Sequence, residues 1–301
     1  MRYALLVVAG GILFGTTGTT GALAPAGATP LSVGAVRLAF GGLLLAAIGV
    51  VAHVAAKRSG RAGFGPGRRI TGRDVLAVVV CASVIMIFQP TFLQGTRANG
   101  VMVGTMIALG SSPMFAGLFE WLVLRQRPRV SWLVATAISV GGIVAMSRTG
   151  GLPVRISPGG VADSLVAGAC YATLAVGAKW LLGRGWKPLD VAVASMTIGA
   201  AMALVTLTRT DISWVAQPRG MAVAAWLAVA TIAAAYTLNM AGLAHTSAAA
   251  ATTLNLAEPA TATLLSLVVL GEAVTPDRIL GIACIVSGVL LLGFAARRGG
   301  G

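Results

Sequence analysis

Charge is what this sequence has least of. Only 10% of its 301 residues are Asp, Glu, Lys or Arg, against about 25% in soluble domains, whose surfaces must face water. A 30.2 kDa globule cannot cover its surface with so little, which excludes an ordinary water-soluble domain. Histidine is confined to His53 and His245, both near the ends of apolar runs. Cysteine is confined to Cys81, Cys170 and Cys284, each inside an apolar run and far from the others. That spacing gives neither a disulfide framework nor a metal-ligand set, so no metal is expected. The three lysines precede Arg58, Trp180 and Pro188, so there is no GK[ST] phosphate loop and no ATP hydrolysis is expected. HExxH is absent, and no GxSxG sits in a strand-and-elbow context. These absences argue against an enzyme, and no cofactor is implied.

What the sequence has is apolar length. Hydrophobic residues make up 57% of the chain, its mean hydropathy is +0.90, and it carries 40 glycines. Lipid is the solvent that suits such a surface, and small residues let membrane helices approach one another closely. Charges and Gly/Pro clusters cut the chain into ten apolar runs: Tyr3–Ala22, Leu31–Val54, Val75–Leu93, Val101–Leu124, Trp132–Ser147, Asp163–Leu182, Leu189–Leu207, Ala222–Gly242, Ser247–Leu270 and Ile279–Ala296. Backbone groups in lipid must bond within their own segment. The expected fold is therefore an all-α membrane protein of about ten transmembrane helices. Met1-Arg2, the first run and Ala22-Leu23-Ala24 have the outline of a signal peptide. The run is rich in Gly and Thr and has a counterpart in mid-chain, so it reads as a retained helix.

The net charge of +14 does not indicate nucleic acid, because the basic residues form no single patch interleaved with aromatics. They lie in the gaps between apolar runs. With the N-terminus inside, the cytoplasmic gaps and their edges hold 15 basic residues, from Arg2 and Lys57 to Arg298, and the opposite gaps hold six: Arg97, Arg148, Arg155, Arg209, Arg219 and Arg278. This bias favours both termini on the cytoplasmic side, and the expected location is a prokaryotic cell (inner) membrane. The stretch Arg61–Arg69 is read as a flexible basic loop rather than a dinucleotide fingerprint.

The chain repeats itself. Pro113 and Pro259 stand 146 residues apart, and the same offset matches Leu124 to Leu270, Gly142 to Gly288, Ala98 to Ala244 and Thr91 to Thr237. Gly11-x-x-Phe14-Gly15-Thr16 parallels Gly168-x-x-Tyr171-Ala172-Thr173, and Pro30-Leu31 parallels Pro188-Leu189. Residues 1–148 and 161–296 thus form two five-helix units joined by a linker at 149–160. An odd helix number inverts the second unit, which is the inverted-repeat plan of many secondary transporters.

The second half, with Leu243-Ala244-x-Thr246-Ser247-Ala248, Glu258-Pro259, Leu270-Gly271-Glu272, Gly281 and Gly288-Val289, resembles the EamA repeat of the drug/metabolite transporter superfamily. The first half resembles the same repeat through Arg37, Gln89, Ser112-Pro113 and Val140-Gly141-Gly142. It departs from it at Arg125-Gln126, which stands where the second half has Gly271-Glu272. The resemblance covers nearly the whole chain. It implies export or exchange of a small, amino-acid-like metabolite by alternating access. It also implies a central cavity lined by helices one, three, four, six, eight and nine, with five and ten packed behind. Uptake or facilitated diffusion is the alternative within transport; a membrane enzyme or sensor is the alternative outside it. Substrate, coupling to protons and a homodimeric state remain open.

Several residues stand out as candidates. Proline clashes with the carbonyl four residues earlier, so Pro113 and Pro259 free the carbonyls of Leu109 and Asn255 near mid-membrane. Either these breaks mark a substrate site or they are packing kinks. Arg37 lies inside the second run, at a cost of at least ~2.5 kcal/mol that a partner, water or a substrate anion must offset unless the side chain snorkels to the interface. Glu258 lies mid-span beside Pro259 and has four open uses: binding an amine, pairing with Arg37, exchanging protons, or stabilising the kink. Thr16, Gln89, Gln94, Tyr171, Tyr236 and Asn239 are further cavity candidates, equally accounted for by bonds between helices. Glu120 is expected to anchor at the interface. Trp121, Trp132, Trp180, Trp186, Trp214 and Trp226 read as an interfacial belt, and Gly11/Gly15 and Gly100/Gly104 as close-packing pairs.

The charge bias makes a topological prediction. A cysteine placed at Gly65 should escape an impermeant thiol reagent added to intact cells, and one placed at Gly151 should react. The reverse labelling pattern overturns the orientation.

Overall fold

The computed structural model describes residues 2–59, 64–67, 69–99, 101–147, 157–269 and 276–298. Most of the expected linker, together with Gly100 and Gly271-Glu272, lies outside them. Regular structure among these residues is entirely helical, and each apolar run read from the sequence falls on helix. The helices are α1 (Arg2–Ala22), α2 (Pro30–Arg58), α3 (Gly72–Asn99), α4 (Val101–Leu124), α5 (Val130–Ser147), α6 (Pro158–Gly183) and α7 (Pro188–Leu207). A 3-10 turn, Ser213–Ala216, then leads into the rod Pro218–Leu243. That rod consists of α8 (Pro218–Ala228), a π segment (Val229–Ala234) and α9 (Ala235–Leu243). A second interrupted rod, α10 (Ala248–Leu254) and α11 (Ala257–Val269), precedes α12 (Pro276–Arg298).

Local chemistry sets the helix starts. Thr29 and Ser32 form a reciprocal capping box at α2, with Pro30 in its first turn. Ser157 caps α6 ahead of Pro158, and Ser247 caps α10. Each hydroxyl satisfies an amide that has no partner inside the helix. Among the described residues, seven helices are long and apolar enough to cross a membrane, and shorter apolar stretches cover Val130–Ala145 and Ile279–Leu292. Leu5, Val50, Val51, Leu76, Val130, Val205 and Val268 are exposed on the outside. Such a surface suits acyl chains and not water, and the molecule is an all-α membrane protein.

Glycine seams join the helices. α2 lies on α7, α5 on α12, α3 and α4 on α6, and α1 on α9 and α11. A Cβ at Gly42 would stand 2.6 Å from the Met196 carbonyl oxygen and from the Ala200 Cβ. One at Gly142 would stand 2.6 Å from the Gly281 carbonyl oxygen, and one at Gly288 would collide with Ser139 and the backbone of Ala135. Backbones in contact gain dispersion energy that lipid cannot match. Gly11 and Gly15 are indeed packing positions, set against Asn255 and the Glu258 carbonyl.

The end of the bundle where α1 begins is sealed. Val7, Leu181, Leu243, Leu254 and Leu292 form one buried cluster there with Trp132 and Trp186. The turn between α9 and α10 is held by two charges. Lys179 Nζ donates to the carbonyls of Leu243 (2.9 Å) and Ala244 (3.2 Å) at the C-terminus of α9. The Glu120 carboxylate accepts from the amides of Ala248 (2.8 Å) and Ala249 (3.0 Å) at the N-terminus of α10. Each charge matches the sign of its helix end. Trp132 Nε1 donates to the Ala249 carbonyl and Thr253 Oγ1, Thr136 meets Thr253, and Tyr3 stacks on His245. Nearby, Arg184 pairs with Asp74 at 2.9 Å and ties α6 to α3.

Two expectations are corrected here. Glu120 is 2% exposed and caps α10. It is not an interfacial anchor, because unpaired amides of a neighbouring helix draw it inward. Trp132, Trp186 and Trp214 are buried core, and the Trp214 indole donates to Ser32; Trp121 and Trp226 are exposed.

The α5–α12 seam makes a paired prediction. Gly142→Val should lower thermal stability by roughly 1–3 kcal/mol, the usual range for overpacking. The adjacent Gly141→Val should change it little, since nothing lies within 4 Å of its Cβ position. Melting of the purified variants in detergent checks this. Equal melting temperatures refute the seam.

Candidate functional site

Midway along the bundle a cavity of about 80 Å³ brings eight helical segments together. Phe14 reaches it from α1, Arg37 and Leu38 from α2, Phe88 from α3, Leu109 from α4, Tyr171 from α6, Ile232 and Tyr236 from the π-interrupted rod, and Glu258 from α11. Helix two, outside the expected lining set, contributes the cation. Four sequence candidates, Arg37, Tyr171, Tyr236 and Glu258, therefore share one space.

Each is held differently. Arg37 sits in the third turn of α2, two residues after the buried Ala35. Its Nε donates to Thr231 Oγ1 at 2.8 Å and its Nη2 to the Thr231 carbonyl at 3.4 Å. Arg37 is thus bonded, not snorkelling. Glu258 stands in the first turn of α11. α1 presses on that turn, since a Cβ at Gly15 would lie 2.6 Å from the Glu258 carbonyl oxygen. Among the described residues no ion pair joins Arg37 to Glu258, although the two charges interact across the cavity. Phe14 meets the Tyr236 ring edge-on at 5.1 Å, and Phe88 lies 6.2 Å from Tyr171. A cation and a carboxyl group, walled by aromatic rings and not bonded to each other, form a site with two poles.

The two prolines have unlike outcomes. The second interrupted rod breaks at Asn255–Leu256, between α10 and α11, so the Asn255 carbonyl accepts the Glu258 amide at 2.9 Å instead of meeting the Pro259 ring. The Asn255 side chain accepts from Asn239 Nδ2 at 2.7 Å, and both residues are buried. α4 stays continuous through Pro113, and Ser112 Oγ donates to the released Leu109 carbonyl at 2.9 Å. Hydroxyl back-bonding absorbs one kink, and a break flanked by an asparagine pair absorbs the other.

The remaining candidates sit elsewhere. Asn239 and Asn255 lie behind the cavity wall, with Asn255 against Tyr171. Thr16 accepts from the exposed Trp226 indole at 3.0 Å, which places it on the outer side of α1. Gln94 is exposed near the end of α3. Neither Thr16 nor Gln94 lines the cavity: each is rotated about its helix away from the positions that do. The Gln89 side chain lies outside the described residues. Thr231 is absent from the sequence candidates. A threonine in an apolar run is common, and its only pointer is a cation 194 positions away.

The chain matches the EamA-like transporter family over residues 1–148 and 160–294. It is 36% identical over 299 residues to "Uncharacterized transporter YwfM" of Bacillus subtilis (strain 168), covering 98% of this chain and 95% of that protein. A crystal structure of a protein 16% identical to it superposes with a TM-score of 0.78, covering 100% of this chain and 99% of the other. At that identity the likeness is one of fold.

The asparagine pair makes a prediction independent of any activity. Asn239→Leu leaves Asn255 Oδ1 buried without its donor and should cost about 1–3 kcal/mol. Adding Asn255→Leu should recover part of that loss, read from melting of the two singles and the double. Strictly additive losses refute the coupling.

Proposed function

Since the chain belongs to the EamA-like transporter family, we propose that it is a secondary transporter that exports or exchanges a small amino-acid-like metabolite by alternating access. The observation that carries this reading is the two-pole cavity. Arg37 is bonded only to neutral acceptors, so its charge is not cancelled by its own partner. A planar guanidinium takes a carboxylate through two parallel N–H donors. Glu258 offers the complementary acceptor for an ammonium group. A zwitterion satisfies both poles, and the Phe14, Phe88, Tyr171 and Tyr236 rings supply apolar wall around them.

The helix pairing supports two inverted repeats, residues 1–148 and 161–296. Taking the rods in order as one to ten, two lies on seven and five on ten. One on eight mirrors six on three, and one on nine mirrors six on four. Exchanging each rod with the one five places away leaves this pattern unchanged. On this reading the rods make ten crossings with both termini on one side, and the excess of basic residues on that side makes it the cytoplasm, which the sealed end then faces. Opening the other way requires the two repeats to rock about the central site. Protons enter the reading through Glu258, whose carboxyl group faces the cavity. Catalysis has no part in it.

Proteoliposomes test this. The purified chain should mediate counterflow of labelled amino acids; no flux for any of them overturns the reading. Arg37→Ala should cut flux at least tenfold with little change in expression or melting, and Arg37→Lys should restore only part of it. Glu258→Gln should lose accumulation driven by a pH gradient yet keep exchange, which needs no net proton movement. A Gln variant that still concentrates substrate on the gradient removes Glu258 as proton carrier.

A further inference from the structure

Thr231 lies in the π segment Val229–Ala234 and is completely buried. Its hydroxyl has a fixed direction: it donates to the Leu227 carbonyl at 2.6 Å and accepts from Arg37 Nε at 2.8 Å. Its carbonyl takes Arg37 Nη2 at 3.4 Å through a remaining lone pair. Two of the five guanidinium N–H groups are thus held by one residue. The other three make no hydrogen bond among the described residues, and Arg37 lines the cavity. α2 meets the π segment closely here, because a Cβ at Gly41, one turn beyond Arg37, would collide with Ile232. The wide π turn also sets Ile232 and Tyr236 on the cavity lining. π segments concentrate at functional positions, where an inserted residue re-aims those that follow.

We propose that Thr231 is the positioning residue of this site: it holds Arg37 with neutral acceptors, aims its free donors into the cavity, and so makes the site select ligands that carry a carboxylate. The inference rests on the transport reading above. An acidic residue in the same place would orient Arg37 equally well but would cancel its charge, and the ligand's anion would lose its attraction. The threonine hydroxyl gives direction without neutralisation.

The experiment is counterflow in proteoliposomes loaded with a labelled L-amino-acid mixture, with unlabelled amino acids and their carboxamides as competitors. In the wild type the acids should compete and the amides should not. Thr231→Val keeps the shape and removes the hydroxyl. It should raise the half-saturating concentration about tenfold, the worth of one hydrogen bond to a charged group, leave the maximal rate within about twofold, and flatten the preference for acids over amides. Thr231→Ser should restore both quantities. Thr231→Ala should behave like Val, and it stands in for Val if Val elutes as aggregate. Wild-type affinity and acid preference in Val and Ala overturn the proposal. A Ser variant as defective as Val also overturns it, since the hydroxyl would then not be the active group. Absence of flux in the wild type overturns the transport reading and this proposal with it, which separates the two failures.

Discussion

A backbone amide or carbonyl in lipid has no water to turn to, and the design of this molecule follows from that constraint. Continuous α-helix satisfies it without help, and most of the chain is continuous α-helix. Departures release main-chain groups, and at several of them the chain supplies a polar side chain. Ser112 answers Pro113, Asn239 steadies the break before Pro259, and Lys179 and Glu120 answer the two helix ends at the α9–α10 turn. These polar residues of the interior are thus accounted for by backbone or by one another. The residues left facing empty space are then conspicuous.

Arg37 and Glu258 are those residues. Burying either ion beside lipid costs several kcal/mol unless it is compensated, and a direct ion pair would be the simplest compensation. The fold does not use it. Arg37 is tied to a hydroxyl and a carbonyl, and Glu258 is held at the head of α11 by the close approach of α1. On the transport reading, keeping the charges apart preserves their capacity to bind a ligand, at the expense of stability.

Much of the fold was legible in sequence because lipid imposes a coarse and regular code: apolar runs of spanning length, basic gaps and small residues at seams. Arg37 and Glu258 were legible for the same reason, since a charge inside an apolar run is an anomaly that demands an explanation. Thr231 was not, because its role exists only through a residue 194 positions away. For Thr16 and Gln94 the sequence leaves cavity lining and other surroundings open, because rotation about a helix axis, not sequence position, decides which way a polar side chain faces. Helices apolar on every side carry little record of that rotation. Thr16 takes the interhelical bond, to Trp226. Glu120 was misread because distance from a helix end was taken for exposure, while its partners lie 128 and 129 residues further on.

The sealed end is electrically balanced in an unusual way. Lys179 and Glu120 feel one another, yet each is spent on the dipole of a different helix terminus, one on carbonyls and the other on amides. The turn between α9 and α10 thus lies between a positive and a negative residue like a removable insulator. Any motion that withdraws it takes two partners from each charge, and the two left behind are of opposite sign on helices that already pack together. The pair left at an unsealed end therefore carries no net charge.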